Sequence, residues 1–190
     1  MPEAMPFGSL WIPVVVSAIA VFVVSSVLHM ALTYHKADYK ALPNEEPVRE
    51  ALGKGSLPPG LYQLPYCPSA KQMQEPAHKA KYDQGPVAMI TVLPNGMPGL
   101  PKYLGQWFAY CFLLSFTAAY VARHTLSYST GGLLVMQITG AVAFVGYGFT
   151  NLIDSIWKGQ PWSNTTRSLI DGVIYAVTTG ATFCWLWPKG

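Results

Sequence analysis

The residues of this sequence best equipped to bind a ligand or move a proton are His29, Asn151, Asp154, Asp171 and Tyr175. Imidazole is the side chain whose charge changes near neutral pH, so a histidine beside a carboxylate can relay protons or hold a ligand. His29 with Asp154 or Asp171 would make such a pair, with Asn151 and Tyr175 beside it; these five residues form the candidate polar site. A plainer role stands next to this one. Asp171 lies in the first turn of an expected helix, where the macrodipole favours a carboxylate and Arg167, four residues earlier, can pair with it. His29 can equally serve as a hydrogen-bond partner for a neighbouring helix.

Other chemistry has little to stand on. Cys67, Cys111 and Cys184 form no CxxC pair, so neither a disulfide framework nor a zinc site is expected. His29 and His35 are six apart, which puts them on different faces of a continuous helix and speaks against a shared metal ion. A haem on His29 is conceivable, but no cofactor, no metal and no catalytic residue is assigned. The sequence contains no GxGxxG, P-loop, GxSxG or HExxH pattern. Nor is there an evident inverted repeat of the kind that builds transporters. Enzymatic activity is therefore not expected.

Four apolar stretches must position the polar residues, at about 10–32, 103–122, 132–153 and 168–187. Each has the length of about 20 residues that a helix needs to cross a bilayer. Composition agrees, with 51% hydrophobic and only 11% charged residues, against roughly 25% charged in soluble domains. The expected fold class is all-α transmembrane, a four-helix bundle whose first partner is the lipid bilayer. His29, Asn151, Asp154 and Asp171 then fall at one end of the bundle, beneath the long loop.

Orientation follows from basic flanks, which stay in the cytoplasm. Lys36, Lys40, Lys102, Lys158 and Arg167 lie on the loop face, against Arg123 and Lys189 on the other. A multi-pass protein of the inner (plasma) membrane, with the long loop cytoplasmic, is expected. The net charge of +3 sits largely at membrane flanks. In the loop, basic residues alternate with Asp38, Glu45, Glu46, Glu50, Glu75 and Asp83, so nucleic acid is not an expected partner.

Residues 34–102 read as a small α/β cap inserted between spans 1 and 2. His35 to Leu42 should extend the first helix until Pro43 breaks it. Asn44 should cap a short helix over Glu45 to Leu52, with Gly53 past its end. Leu61 to Tyr66 and Val87 to Leu93 read as strands, with a short helix from Pro76 to Tyr82 between them. An extended Pro-rich linker is the alternative, which rapid proteolysis between Gly53 and Gly99 would reveal.

Gly172, Ala176 and Gly180 are spaced four apart, giving a small-residue face that admits another helix closely. Gly140 occupies a similar face on the third span, and the third and fourth spans are expected partners. The same Gly172/Ala176/Gly180 face is expected to promote association with a second copy or a larger complex.

The run from Gly140 to Trp187 contains GFTNLIDSIWKGQPWSNTTRSLIDGVIYAV and ends in WLWP. It resembles small bacterial four-helix membrane proteins classified as domains of unknown function, in which a W-x-G-x-P connection links a glycine-rich helix to one opening with a Leu-Ile-Asp-like sequence. The resemblance covers about a quarter of the chain. It implies an all-α bundle and supplies no activity.

Three functions are compatible with these features. A structural or interaction subunit of a membrane assembly is favoured by the small-residue faces. A small transporter or ligand-binding membrane protein would use the polar site at the loop-side end. A cofactor-bearing redox subunit is the third.

Overall fold

The computed structural model describes residues 5–97 and 99–189. It divides into two compact units, one of Met1–Tyr39 with Gly99–Gly190, the other of Lys40–Pro98.

The first unit is helical. Helix α1, Phe7–Ala31, is built from a Val- and Ile-rich run that starts as a 3-10 turn and finishes as a π-helical turn over Val27–Ala31. Near that end, Ser25 and Ser26 both return their hydroxyls to the Phe22 carbonyl, at 2.8 and 2.9 Å. Such side-chain competition for the backbone bends and loosens a helix. The Leu32 amide closes a wide turn to the Val27 carbonyl, and Leu32 itself is extended. The expected continuous extension from His35 to Leu42 therefore does not form: the chain breaks at Leu32 and turns again as a 3-10 helix over Tyr34–Asp38.

With the two longer helices of the second unit numbered α2 (Glu45–Lys54) and α3 (Pro76–Gln84), the remaining long helices of the first are α4 (Leu100–Thr125), α5 (Gly132–Lys158) and α6 (Trp162–Trp185). Pro101 sits in the first turn of α4, where its missing N–H is not needed. A 3-10 turn at Phe149–Asn151 interrupts α5. Helices α1, α4 and α5 are long and apolar enough to cross a membrane. Helix α6 is more polar, because it buries Thr165, Asp171, Thr179 and Thr182.

Helices α5 and α6 run antiparallel in backbone contact. A Cβ on Gly172 would lie 2.7 Å from the Gly148 Cα, one on Gly180 2.6 Å from the Met136 carbonyl oxygen, and one on Gly140 3.2 Å from the Ala176 carbonyl oxygen. The Gly172/Ala176/Gly180 face thus packs on α5 of the same chain, the expected partner. Their connection is only Gly159 to Pro161. Gly159 takes a left-handed conformation (φ 69°) to end α5, as glycine readily does, and the Ser155 hydroxyl donates to the Gln160 carbonyl at 2.9 Å.

Helix α4 lies antiparallel to α1. Ser115 donates to Ser17 across their interface at 3.2 Å, and the Trp107 indole donates to the Ser25 hydroxyl at 2.7 Å. Tyr110 ties α4 to α5 through the Gly146 carbonyl at 2.8 Å. Two apolar layers fill the interior: Leu10, Val14, Ala119, Val135 and Phe183 at one end; Val21, Leu28, Cys111, Ala143, Tyr147 and Tyr175 at the other.

The second unit contains α2 (Glu45–Lys54), strand β1 (Gly60–Leu64), α3 (Pro76–Gln84) and strand β2 (Ala88–Val92). The strands pair antiparallel, Gly60 opposite Val92 and Leu64 opposite Ala88. They are shorter than expected, and β1 stops before Pro65, which has no N–H to offer a ladder. The Tyr82 hydroxyl donates to the Pro65 carbonyl (3.2 Å) and accepts from the Gln63 amide (3.3 Å), tying α3 to the sheet. Asn44 makes no side-chain cap and α2 continues through Gly53 to Lys54, where Lys54 pairs with Glu50 at 2.7 Å. None of its described residues is fully buried, in keeping with the marginal stability of a two-stranded sheet.

Candidate functional site

The break after α1 brings together what a continuous helix would separate. His29, in the last turn of α1, and His35, in the 3-10 turn, stack with ring centroids 4.3 Å apart and planes 10° from parallel. Both rings face the buried Asp171, which lies in the third turn of α6 and not in the first turn as expected, because the helix already begins at Trp162. His35 Nε2 lies 2.8 Å from Asp171 Oδ2, and His29 Nε2 lies 3.8 Å from the same oxygen.

Each member of this trio is held by a further partner. His29 Nδ1 lies 3.0 Å from the Ser25 carbonyl, which can only accept, so Nδ1 carries the proton. His35 Nδ1 donates to Asp38 Oδ2 at 2.6 Å. The Tyr34 hydroxyl donates to Asp171 Oδ1. Asp38 in turn accepts from Arg167 Nε at 2.6 Å, while Asn164 donates to the Asp38 backbone carbonyl and accepts from Arg167 Nη2, both at 2.9 Å. The result is a line of alternating partners, Arg167, Asp38, His35, Asp171 and Tyr34, drawn from segments more than 120 residues apart in the chain.

Electrostatics follow from this arrangement. Burial alone would raise the Asp38 carboxyl, but hydrogen bonds from His35 and Arg167 outweigh it and hold Asp38 below the ordinary carboxylate range. The Tyr34 phenol is raised, first by burial and then by its bond to Asp171 and the negative charges of Asp171 and Asp38, so it remains a proton donor. A carboxylate oxygen faces each ring nitrogen of His35, Asp38 at Nδ1 and Asp171 at Nε2.

Of the five residues expected to form a polar site, His29 and Asp171 meet. Asn151 does not join them: its amide donates to the Tyr147 and Gly148 carbonyls, at 2.7 and 3.1 Å, and ties off the interruption in α5. Asp154 pairs with Lys158 at 2.7 Å, with both side chains about half exposed. Tyr175 lies one turn further along α6 in the interior, its ring 5.3 Å from Tyr147 and 5.9 Å from Trp107. The buried hydroxyls of Tyr147, Tyr175 and Thr179 have no hydrogen-bond partner among the described residues. Arg167, expected on Asp171, reaches Asp38 instead, because the 3-10 turn carries a carboxylate to its guanidinium.

Sequence reasoning missed His35, Tyr34, Asp38 and Asn164. The available signal was the polar cluster Tyr34-His35-Lys36-Ala37-Asp38 immediately after an apolar span, which a continuous helix would have scattered around its circumference.

Fold and site together define a helical protein with three membrane-compatible helices and an ionisable cluster at the end of the first. No protein-family model matches the chain, and no curated protein or solved structure matches it.

Proposed function

We propose that this chain is an integral membrane protein of four transmembrane helices, a four-helix bundle, which binds a small polar or ionic ligand at the end where α1 breaks. The observation that carries this reading is Asp171, only 4% exposed, held between His35 and Tyr34 with a second histidine beside it. Charged groups buried near a membrane are costly and normally mark functional positions.

Support for the fourth span comes from the two sides of α6. Ile170, Val173 and Val177 are half exposed while Asp171, Thr179 and Thr182 are buried, the reverse of a helix bathed in water. Trp162 and Trp185 lie exposed at its ends, as aromatics do at headgroup depth. The basic flanks favour the inner (plasma) membrane with residues 34–102 cytoplasmic. A purely architectural subunit is less well supported, because the small-residue face that motivated it is occupied by α5.

Thermal unfolding of the purified full chain in nanodiscs, wild type beside Asp171→Asn, against a panel of inorganic cations, inorganic anions and simple amines tests this function. At least one compound should raise the wild-type midpoint and leave the variant unmoved. A panel that affects both proteins equally, or neither, would overturn it.

A further inference from the structure

We propose that His29 Nε2, His35 Nε2 and Asp171 Oδ2 form a three-ligand site for a divalent transition-metal ion of the zinc and cobalt type. This rests on the ligand-binding function above and names its ligand class.

The donor set is right for such an ion. Two imidazoles and a carboxylate suit borderline metals, whereas calcium and magnesium favour all-oxygen sites. The three ligand atoms lie within 4.8 Å of one another. For metal–ligand bonds of about 2.0 to 2.1 Å, tetrahedral ligands are separated by roughly 3.3 Å. The two histidine nitrogens stand 2.8 and 3.8 Å from Asp171 Oδ2, on either side of that figure, and closure on an ion requires the two stacked rings to splay until both Nε2 lone pairs converge.

The surroundings carry the inference further than the three atoms alone. Metal-binding histidines commonly give their other ring N–H to a carbonyl or carboxylate, which fixes the tautomer and aims the lone pair. Both histidines meet that condition, His29 on the Ser25 carbonyl and His35 on Asp38. The carboxylate is likewise oriented, its Oδ1 taken by Tyr34 and its Oδ2 turned to the two histidine Nε2 atoms, where an ion would replace the His35 contact. Asp38 is anchored by Arg167, so this support is itself fixed. His35 and Asp171 are largely buried while the His29 side chain is 51% exposed, so an ion has a way in on the His29 side. Three protein ligands leave at least one position open for water or a ligand.

The competing structure is a plain ion-pair network, in which His35 joins Asp38 and Asp171 and His29 is a bystander. His29 separates the two, since its ring nitrogen bonds otherwise only to its own helix.

The test uses the full chain, purified without a polyhistidine tag, stripped with chelator and returned to nanodiscs. Cobalt(II) is titrated while the visible ligand-field bands are recorded, and zinc(II) is then added as competitor. One cobalt per chain should bind with nitrogen-containing ligation and be displaced by zinc. His29→Ala should weaken binding at least about 100-fold with its unfolding midpoint little changed, and Asp38→Asn should weaken it about 10- to 100-fold, the range for a group that orients a ligand. Equal cobalt affinity in wild type and His29→Ala, or no binding by wild type, would overturn the metal site. If another compound protects wild type but not Asp171→Asn while cobalt and zinc do not bind, the metal assignment fails and the ligand-binding function stands. If nothing distinguishes Asp171→Asn from wild type, both fail.

Discussion

His35 and Asp171, separated by 136 residues, meet Nε2 to Oδ2 at 2.8 Å. That contact joins the segment following α1 to the third turn of α6, so the first and last helices of the first unit are fastened by a polar side-chain contact where α1 breaks. Elsewhere they meet through packed side chains.

Removing the carboxylate should loosen that fastening. Asp171→Ala leaves His35 and Tyr34 without their shared acceptor in a buried position, and breaking a buried pair from one side costs about 3 to 5 kcal/mol. Reversible unfolding in mixed micelles should show a loss of this order. A change below about 1 kcal/mol, the usual value of a surface pair, would place Asp171 in a solvated position.

Arg167 and Asn164 should act as a unit on Asp38. Arg167→Lys supplies one charged nitrogen where the guanidinium bonds both Asp38 and Asn164. Each of Arg167→Lys and Asn164→Ala should cost about 1 kcal/mol. The double variant should cost less than the sum, with a coupling of about 0.5 kcal/mol or more, because Arg167 and Asn164 bond each other while one holds the Asp38 carboxylate and the other its backbone carbonyl. Strict additivity in the double-mutant cycle would contradict this.

Two glycine-to-alanine changes should have opposite signs. A Cβ on Gly180 meets the Met136 carbonyl oxygen at 2.6 Å, a backbone atom that cannot step aside, so Gly180→Ala should destabilise by about 1 to 3 kcal/mol. Gly105, inside α4, has open space around its would-be Cβ, and Gly105→Ala should stabilise by about 0.5 to 1 kcal/mol. Denaturation midpoints measured side by side decide the pair. A Gly180→Ala protein as stable as wild type but altered in subunit number by native mass spectrometry would return this face to self-association.

Cysteine labelling reports orientation. Cys67 is partly exposed and Cys111 is buried. In cells, a membrane-impermeant maleimide should modify Cys67 only after the inner membrane is opened, and should leave Cys111 unmodified throughout. Labelling of Cys67 in intact spheroplasts would invert the proposed orientation.

Much of the helical layout was legible in the sequence, because long apolar runs bounded by Gly and Pro leave few alternatives. Helices α4 and α5 start within three residues of the expected 103 and at the expected 132. The spacing of Gly172, Ala176 and Gly180 pointed to a close helix contact, and its partner α5 was the expected one. The site was legible only in part. His29 and Asp171 stood out as ionisable groups in apolar runs, but His35 was set aside on a periodicity that holds only while the helix is unbroken. The helix ends through a π turn over Val27–Ala31, behind two serines whose hydroxyls bond the Phe22 carbonyl, and neither feature has a periodic signature. Asn151 and Asp154 were placed at the right end of α5 yet are occupied locally, with backbone carbonyls and Lys158.

The connection between α5 and α6, only Gly159 to Pro161, has a consequence for how the protein is made. On the four-span proposal, α6 is the most polar span and gains least from entering lipid unaided, yet it emerges from the ribosome directly behind a strongly apolar neighbour with no slack between them. The two would then enter the bilayer as one hairpin, with Asp171 and the threonines shielded against α5 from the outset. Lengthening that three-residue connection would test biogenesis rather than stability, since it delays the meeting of two helices that, once met, make the same contacts.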